Sequence, residues 1–121
     1  KIIEERELPR DRYLGEFNAR ADIYFDFQVE RAAQPLPGSG SPRYPSDLRS
    51  AGVSGGVLAQ FVVGTDGRVD VSTFKAVKSS DARFTRAVLD ALPSMRFKPA
   101  ETGGAAVKQL IQQPFVFQLA K

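Results

Sequence analysis

Asp66, Asp70, Asp81 and Asp90 are carboxylates that could in principle pair for general acid–base work. Paired carboxylates act in that way when a shared pocket drives their proton affinities apart. Their settings point elsewhere. Asp66 falls in the turn "GTDGR", and Asp81 opens an apolar-periodic run where a carboxylate favours the positive end of a helix. Asp70 and Asp90 read as solvated strand and helix positions, so no convergent polar cluster is assembled and an enzyme built on carboxylates is the weaker reading. The chain has no histidine and no cysteine, which excludes Ser-His-Asp and Cys-His nucleophiles, disulfides, and metal sites built on either residue. Gly103 and Gly104 make a turn pair rather than an anion-binding nest. The stretch "QPLPGSGSP" lacks the Gly-Lys-Ser/Thr of a phosphate-cradling loop. No cofactor and no metal are expected.

What remains is the chemistry of the main chain. Residues 106–119 form one long strand pattern, with Val107, Ile111, Phe115, Phe117 and Leu119 on one side and Gln109, Gln112, Gln113 and Gln118 interleaved. Pro114 lies inside it, and a proline that cannot donate to a ladder belongs on an edge or at a bulge. An edge whose charge is confined to Lys108 is a template for another strand. Strand addition would draw affinity from main-chain hydrogen bonds and specificity from alternate side chains. The plain alternative is a closing strand with a kink at Pro114. The 17 basic and 14 acidic residues leave a net charge of +3, but they are scattered. They make no basic stripe with stacking aromatics, so nucleic acid is not the expected partner. The excess suits solubility or attraction to an acidic partner.

These residues need positioning. An apolar share of 42% with 26% charged residues is that of an ordinary folded globule. At 121 residues the chain supports one core plus an arm, and no apolar run approaches the roughly 20 residues of a membrane span. It begins at Lys1 without a signal-peptide pattern, which reads as a fragment or a processed product. Residues 1–34 read as an arm, in which "ADIYFDFQVE" alternates Ile23, Phe25, Phe27 and Val29 against polar neighbours and predicts a strand over about 22–30. Residues 35–43 read as a Pro/Gly/Ser linker, and 44–121 as the compact unit.

Within that unit Tyr44 staples a short helix that has Pro45 in its first turn, Ser46 as cap, Leu48 and Ala51 inward and Gly52 at its end. A central strand over 56–63 follows, then an Asp66-Gly67 turn and a strand over 68–78 with a bulge near Ser72 and Thr73. Ser79 or Ser80 caps a helix whose stripe is Phe84, Ala87, Val88, Ala91 and Leu92, and Pro93 stops it. The pattern predicts an α+β fold: a small antiparallel three-stranded sheet with two helices on one face, plus the additional N-terminal strand.

Taken in order, "PRYP", "GVSGGVLAQFVVGTDGRVDV", "VKSS", "FTRAVLDALPSMRFKPA" and "GGAAVKQLIQQPFVFQL" resemble the C-terminal domain of TonB-type energy transducers over residues 42–119. That resemblance implies a periplasmic domain of an inner-membrane-anchored protein, coupled through a missing N-terminal part to an ExbB–ExbD motor complex. It further implies a partner, the TonB-box peptide of outer-membrane transporters, which adds alongside the last strand and is pulled so that a siderophore, cobalamin or other scarce substrate enters. The receiving residues would be Val107, Lys108, Gln109, Leu110, Ile111, Gln112, Gln113, Phe115, Val116, Phe117 and Gln118, with Ser41, Pro42 and Arg43 as a second contact. Tyr44, Pro45, Gly56, Asp66, Gly67, Phe97, Pro99 and Gly104 would be structural. Two departures matter: Pro114 removes a donor from the receiving strand, and the strand over 22–30 is not part of the basic family unit. It is expected to cover the domain's own edge, in cis or in a swapped homodimer. The rival reading is a TonB-like envelope scaffold that holds another periplasmic protein or cell wall without transport.

Overall fold

The run "VLAQFVV" is apolar on both of its alternating sides, which suits a strand covered on both faces. In the computed structural model, which describes residues 23–119, residues 57–63 are all buried. In chain order the strands are β1 (Ile23–Tyr24), β2 (Gln34–Pro35), β3 (Gly55–Val63), β4 (Val69–Ser79), β5 (Phe97–Lys98), β6 (Ala100–Thr102) and β7 (Ala105–Phe117). The helices are α1 (Ser46–Ser50) and α2 (Ala82–Ala91). The spatial order of the main sheet is β1-β7-β3-β4, with β6 hairpinned onto β7 and β2 paired separately with β5. The three long strands are antiparallel to one another, as the sequence predicts, and β1 adds to β7 in parallel.

The β3–β4 turn closes with Gly64 N–H donating to the Arg68 carbonyl at 2.8 Å, and Asp66 accepts from the Arg68 N–H at 3.0 Å. The bulge falls where the phase change in the sequence places it: Gln60 faces Lys75 while Val62 faces Asp70. Its slack is taken up locally. Thr73 Oγ1 accepts from Val62 N–H at 2.9 Å, and the Asp70 carboxylate accepts from both the N–H and the hydroxyl of Ser72. Asp70 is exposed, as its strand position predicts, and from the surface it also holds the irregular strand.

Helix α2 packs Phe84, Val88 and Ala91 onto the sheet, with Leu92 buried just beyond. Each large apolar side chain so buried contributes about 1.5–3 kcal/mol. The Phe84 ring stacks on Phe117 at 4.4 Å, and Tyr44 stands edge-on to both. Phe61 and Phe97 complete this aromatic core. A second cluster, Ile23, Phe25, Val62 and Leu110, joins β1 to the main sheet.

Several local expectations are corrected. Asp81, not Ser79 or Ser80, caps α2, accepting from the Arg83 N–H at 2.8 Å; its carboxylate reaches farther than a serine hydroxyl. At α1 the cap position is Pro45, with no side-chain cap bond, and Ser46 is already helical. Leu48 is buried but Ala51 is exposed, since a helix this short turns only one residue inward. Of the strand expected over 22–30, residue 22 lies outside the described residues, and among the others only Ile23–Tyr24 are strand. Phe25 exchanges bonds with Gln28, its N–H to the side chain and its carbonyl to the N–H, both at 2.9 Å. That bonding rolls Asp26–Gln28 into a 3-10 turn and leaves Phe27 about half exposed. Nor is 35–43 a free linker. Leu36 N–H donates to the Arg96 carbonyl, the Ser39 hydroxyl accepts from Arg96 N–H, and Pro35 pairs with Phe97.

Candidate functional site

Strand β7 is zipped to β3 along the whole register from Gly55↔Phe117 to Val63↔Gln109. Which of its main-chain groups look outward follows from β3. Gly56 exchanges bonds with Ser80, and Val62 N–H reaches Thr73, so the even-numbered residues of β3 address β4. Main-chain direction alternates along a strand, so the odd residues of β3 address β7. In this register their partners are the odd residues of β7. The main-chain groups of Leu110, Gln112, Pro114 and Val116 therefore turn to the outer flank. Pro114 is tolerated in a paired strand because the N–H it lacks would have faced away from β3.

On that outer flank β1 occupies Lys108 and Gln109 through the register Ile23↔Lys108 and Tyr24↔Gln109. Beyond Gln109 no described strand pairs there. The expected receiving residues thus divide. Val107 pairs with Ala100 of β6; Lys108 and Gln109 lie against β1, and Leu110 is buried under Ile23 and Phe25. Gln109 is itself buried, its side chain accepting from the Ala33 N–H at 2.7 Å. Ile111, Phe115 and Phe117 face the helix-side core. Gln112 Nε2 donates to Gln60 Oε1 at 3.0 Å, Gln113 is half-buried, and Gln118 is exposed past the strand end. Val116 is 69% exposed, the most exposed large apolar side chain among the described residues.

The second expected contact lies along α2. Ser41 and Arg43, with Pro45, line an open groove of about 570 Å³ whose other wall is Arg83, Arg86 and Asp90 of that helix. Pro42 is half-buried. The link from this segment to β7 is Tyr44, whose hydroxyl donates to the Val53 carbonyl and whose ring meets Phe117. Arg83 clamps two carboxylates, Asp47 at 2.8 Å and Asp81 at 3.0 Å. The guanidinium holds Asp81 down to about 2, helped by the Arg83 N–H, and it lowers Asp47 as well. Asp90 pairs with Arg86 at 3.0 Å. The four aspartates thus serve a turn, a bulge, a cap and a helix-surface ion pair.

Among the expected structural residues, Gly56 meets the Phe115 backbone closely: an added β-carbon would lie 3.0 Å from its carbonyl oxygen. Gly104 takes a φ of +77° in the β6–β7 turn, and Phe97 is buried with Pro99 half-buried beside it. Cover of the domain's own edge by the N-terminal strand was expected; β1 lies on it in cis, parallel, at Lys108 and Gln109, and neither those positions nor the parallel sense had a signal beyond the apolar alternation that begins at Ile23.

Comparison with known proteins places this geometry. Residues 40–119 match the family model described as the Gram-negative bacterial TonB protein C-terminal. A curated relative, Protein TonB of Pseudomonas aeruginosa, is 32% identical over 81 residues, which is 66% of this chain and 23% of that protein. The chain therefore spans under a quarter of that relative's length. The solution NMR structure of the Pseudomonas aeruginosa TonB CTD superposes with a TM-score of 0.57 at 29% identity, covering 74% of this chain and 88% of that one.

Proposed function

The chain belongs to the Gram-negative bacterial TonB protein C-terminal family, and on that premise we propose that it is the partner-gripping domain of a TonB-type energy transducer. Its role is non-catalytic. It accepts the TonB-box peptide of an outer-membrane transporter as an added strand on the outer flank of β7, and it passes on tension drawn from the proton-motive force by an ExbB–ExbD complex. The domain works in the periplasm, tethered to the inner membrane by chain outside residues 23–119. Among those residues no helix is long and apolar enough to cross a membrane.

One observation carries this reading. Past Gln109 no described strand pairs with the outer flank of β7, while the inner flank is zipped throughout. The exposed Val116 lies on that stretch. Each ladder bond adds a net ~0.5–1.5 kcal/mol. Such bonds resist force together when the added strand is pulled along its axis, so a modest interface withstands a transient load.

Titrating TonB-box peptides from the same genome into the isotopically labelled chain tests the proposal. The amides of residues 110–117 other than Pro114 are expected to shift together. Shifts confined to the groove beside α2, or none at all, would refute strand docking and favour an envelope scaffold.

A further inference from the structure

We infer that the groove between α2 and residues 41–43 takes an acidic stretch of the partner polypeptide, continuous with the strand docked on β7 and held through its carboxylates. The inference rests on the strand-docking reading above and concerns the part of the partner that overruns the ladder. The charge lining this groove is unbalanced: Arg43, Arg83 and Arg86 stand against one carboxylate, Asp90. Arg83 is spent, giving Nε and one terminal nitrogen to Asp81 and the other to Asp47, at 2.8 to 3.0 Å. Arg86 meets Asp90 through Nε at 3.0 Å, and both side chains are mostly exposed. Arg43 is exposed and forms no ion pair among the described residues. With Arg83 set aside, the groove still presents two guanidinium groups to one carboxylate, a deficit that an added carboxylate fills with charge-assisted hydrogen bonds.

Both walls are held in place before anything binds, which lowers the cost of ordering them. Arg83, Arg86 and Asp90 follow one another at helical spacing along α2, so one wall is a single helix face. The other wall is fixed by Tyr44, whose ring stands edge-on to Phe84 and Phe117 and whose hydroxyl donates to the Val53 carbonyl. Phe117 is the last residue of β7, and Arg43 is the chain neighbour of the Tyr44 that packs on it. A peptide leaving the ladder at this end emerges beside Tyr44 and meets Arg43 first. Pro114 leaves the ladder one donor short. A second contact on the same polypeptide offsets that loss through effective concentration rather than through further ladder bonds. Exposed ion pairs are individually weak, so the gain is modest and salt-sensitive, and it selects acidic over neutral sequences. An anionic cell-wall glycan offers charge of the same sign but no strand to continue from β7.

Two synthetic peptides, titrated into the isotopically labelled full chain, test this. Both carry the TonB-box segment of a transporter of the same genome. In one the residues that overrun Phe117 are glutamate and aspartate, and in the other glutamine and asparagine stand at the same positions. The acidic peptide should bind about fivefold more tightly at low salt, as two exposed ion pairs allow, and the advantage should vanish near 1 M salt. Its binding should shift the side-chain N–H signals of Arg43 and Arg86 together with the β7 amides. Arg43→Gln should remove most of the preference. Asp90→Asn should enlarge it severalfold, because a competing carboxylate is taken from Arg86. Equal affinities at low salt, with the β7 amides still shifting, overturn the inference while leaving strand docking intact. So does a preference that neither substitution alters, or a soluble cell-wall fragment that fills the groove while the acidic peptide does not. Failure of both peptides to shift the β7 amides overturns strand docking and this inference with it.

Discussion

Gly67 has a φ of +81°, and a β-carbon added there would lie 2.2 Å from the Phe97 carbonyl oxygen. The Phe97 N–H in turn donates to the Gly67 carbonyl at 2.8 Å, so turn and core are locked backbone to backbone. Gly67→Ala should destabilise the fold by about 2–4 kcal/mol, combining left-handed strain with a clash that no side-chain rotation relieves. Gly52→Ala, at φ +71° with nothing near, should cost only about 1–2 kcal/mol. Denaturant midpoints at constant slope would measure both. Asp81 supplies a second prediction at this scale. Its folded value, about 2, lies below the ordinary 3.8, so its contribution is complete above about pH 4 and is lost as pH falls toward 2. The melting temperature of the native chain should drop through that window, and Arg83→Met should flatten the drop. Parallel melts between about pH 5 and pH 2 would show it.

The elements differ in what their edges permit, and Pro114 sets the limit on β7. Pro114→Ala returns one outward N–H without disturbing the bonds to β3. Peptide affinity should rise severalfold, in line with one net hydrogen bond of ~0.5–1.5 kcal/mol, and self-association should rise with it. Calorimetric titration and sedimentation would read the two effects separately. These strands were legible early because burial imposes a period. The two-faced run of β3, the stripe of α2 and the odd-numbered apolar residues of β7 each name their element and its face. The stretch from Ile23 to Ser39 was not legible. Alternation at Ile23, Phe25, Phe27 and Val29 looks the same whether the backbone runs on or rolls up, and a Gln28 side chain decided between them. Pro/Gly/Ser composition speaks only of local regularity. The Ala33 bond to Gln109 joins positions 76 residues apart, a pairing that no local pattern encodes. The candidate site was read in the same uneven way: the strand and a covering N-terminal segment were evident, and the positions covered, Lys108 and Gln109, were not.

At the scale of the whole molecule, stability should grade outward from β3. Phe61 and Val63 are fully buried at the centre of the sheet, so their amides should exchange with solvent only through global unfolding, typically 5–15 kcal/mol. The amides of Glu30, Arg31 and Leu36 belong to an exposed strap and should exchange earlier, with the half-buried Tyr24 between the two groups. Hydrogen exchange of the full chain, followed residue by residue, would rank them; equal protection throughout would mean the strap and the sheet open as one. The two margins of the sheet are also unlike. Strand β4 shifts register twice against β3 and exposes Lys75 and Lys78, which spoils it as a template, whereas β7 runs regular to its end. Among the described strands the two margins thus differ in kind: two copies meeting through β7 would saturate one another by twofold symmetry, and the irregular β4 would give such a pair a poor template for further growth.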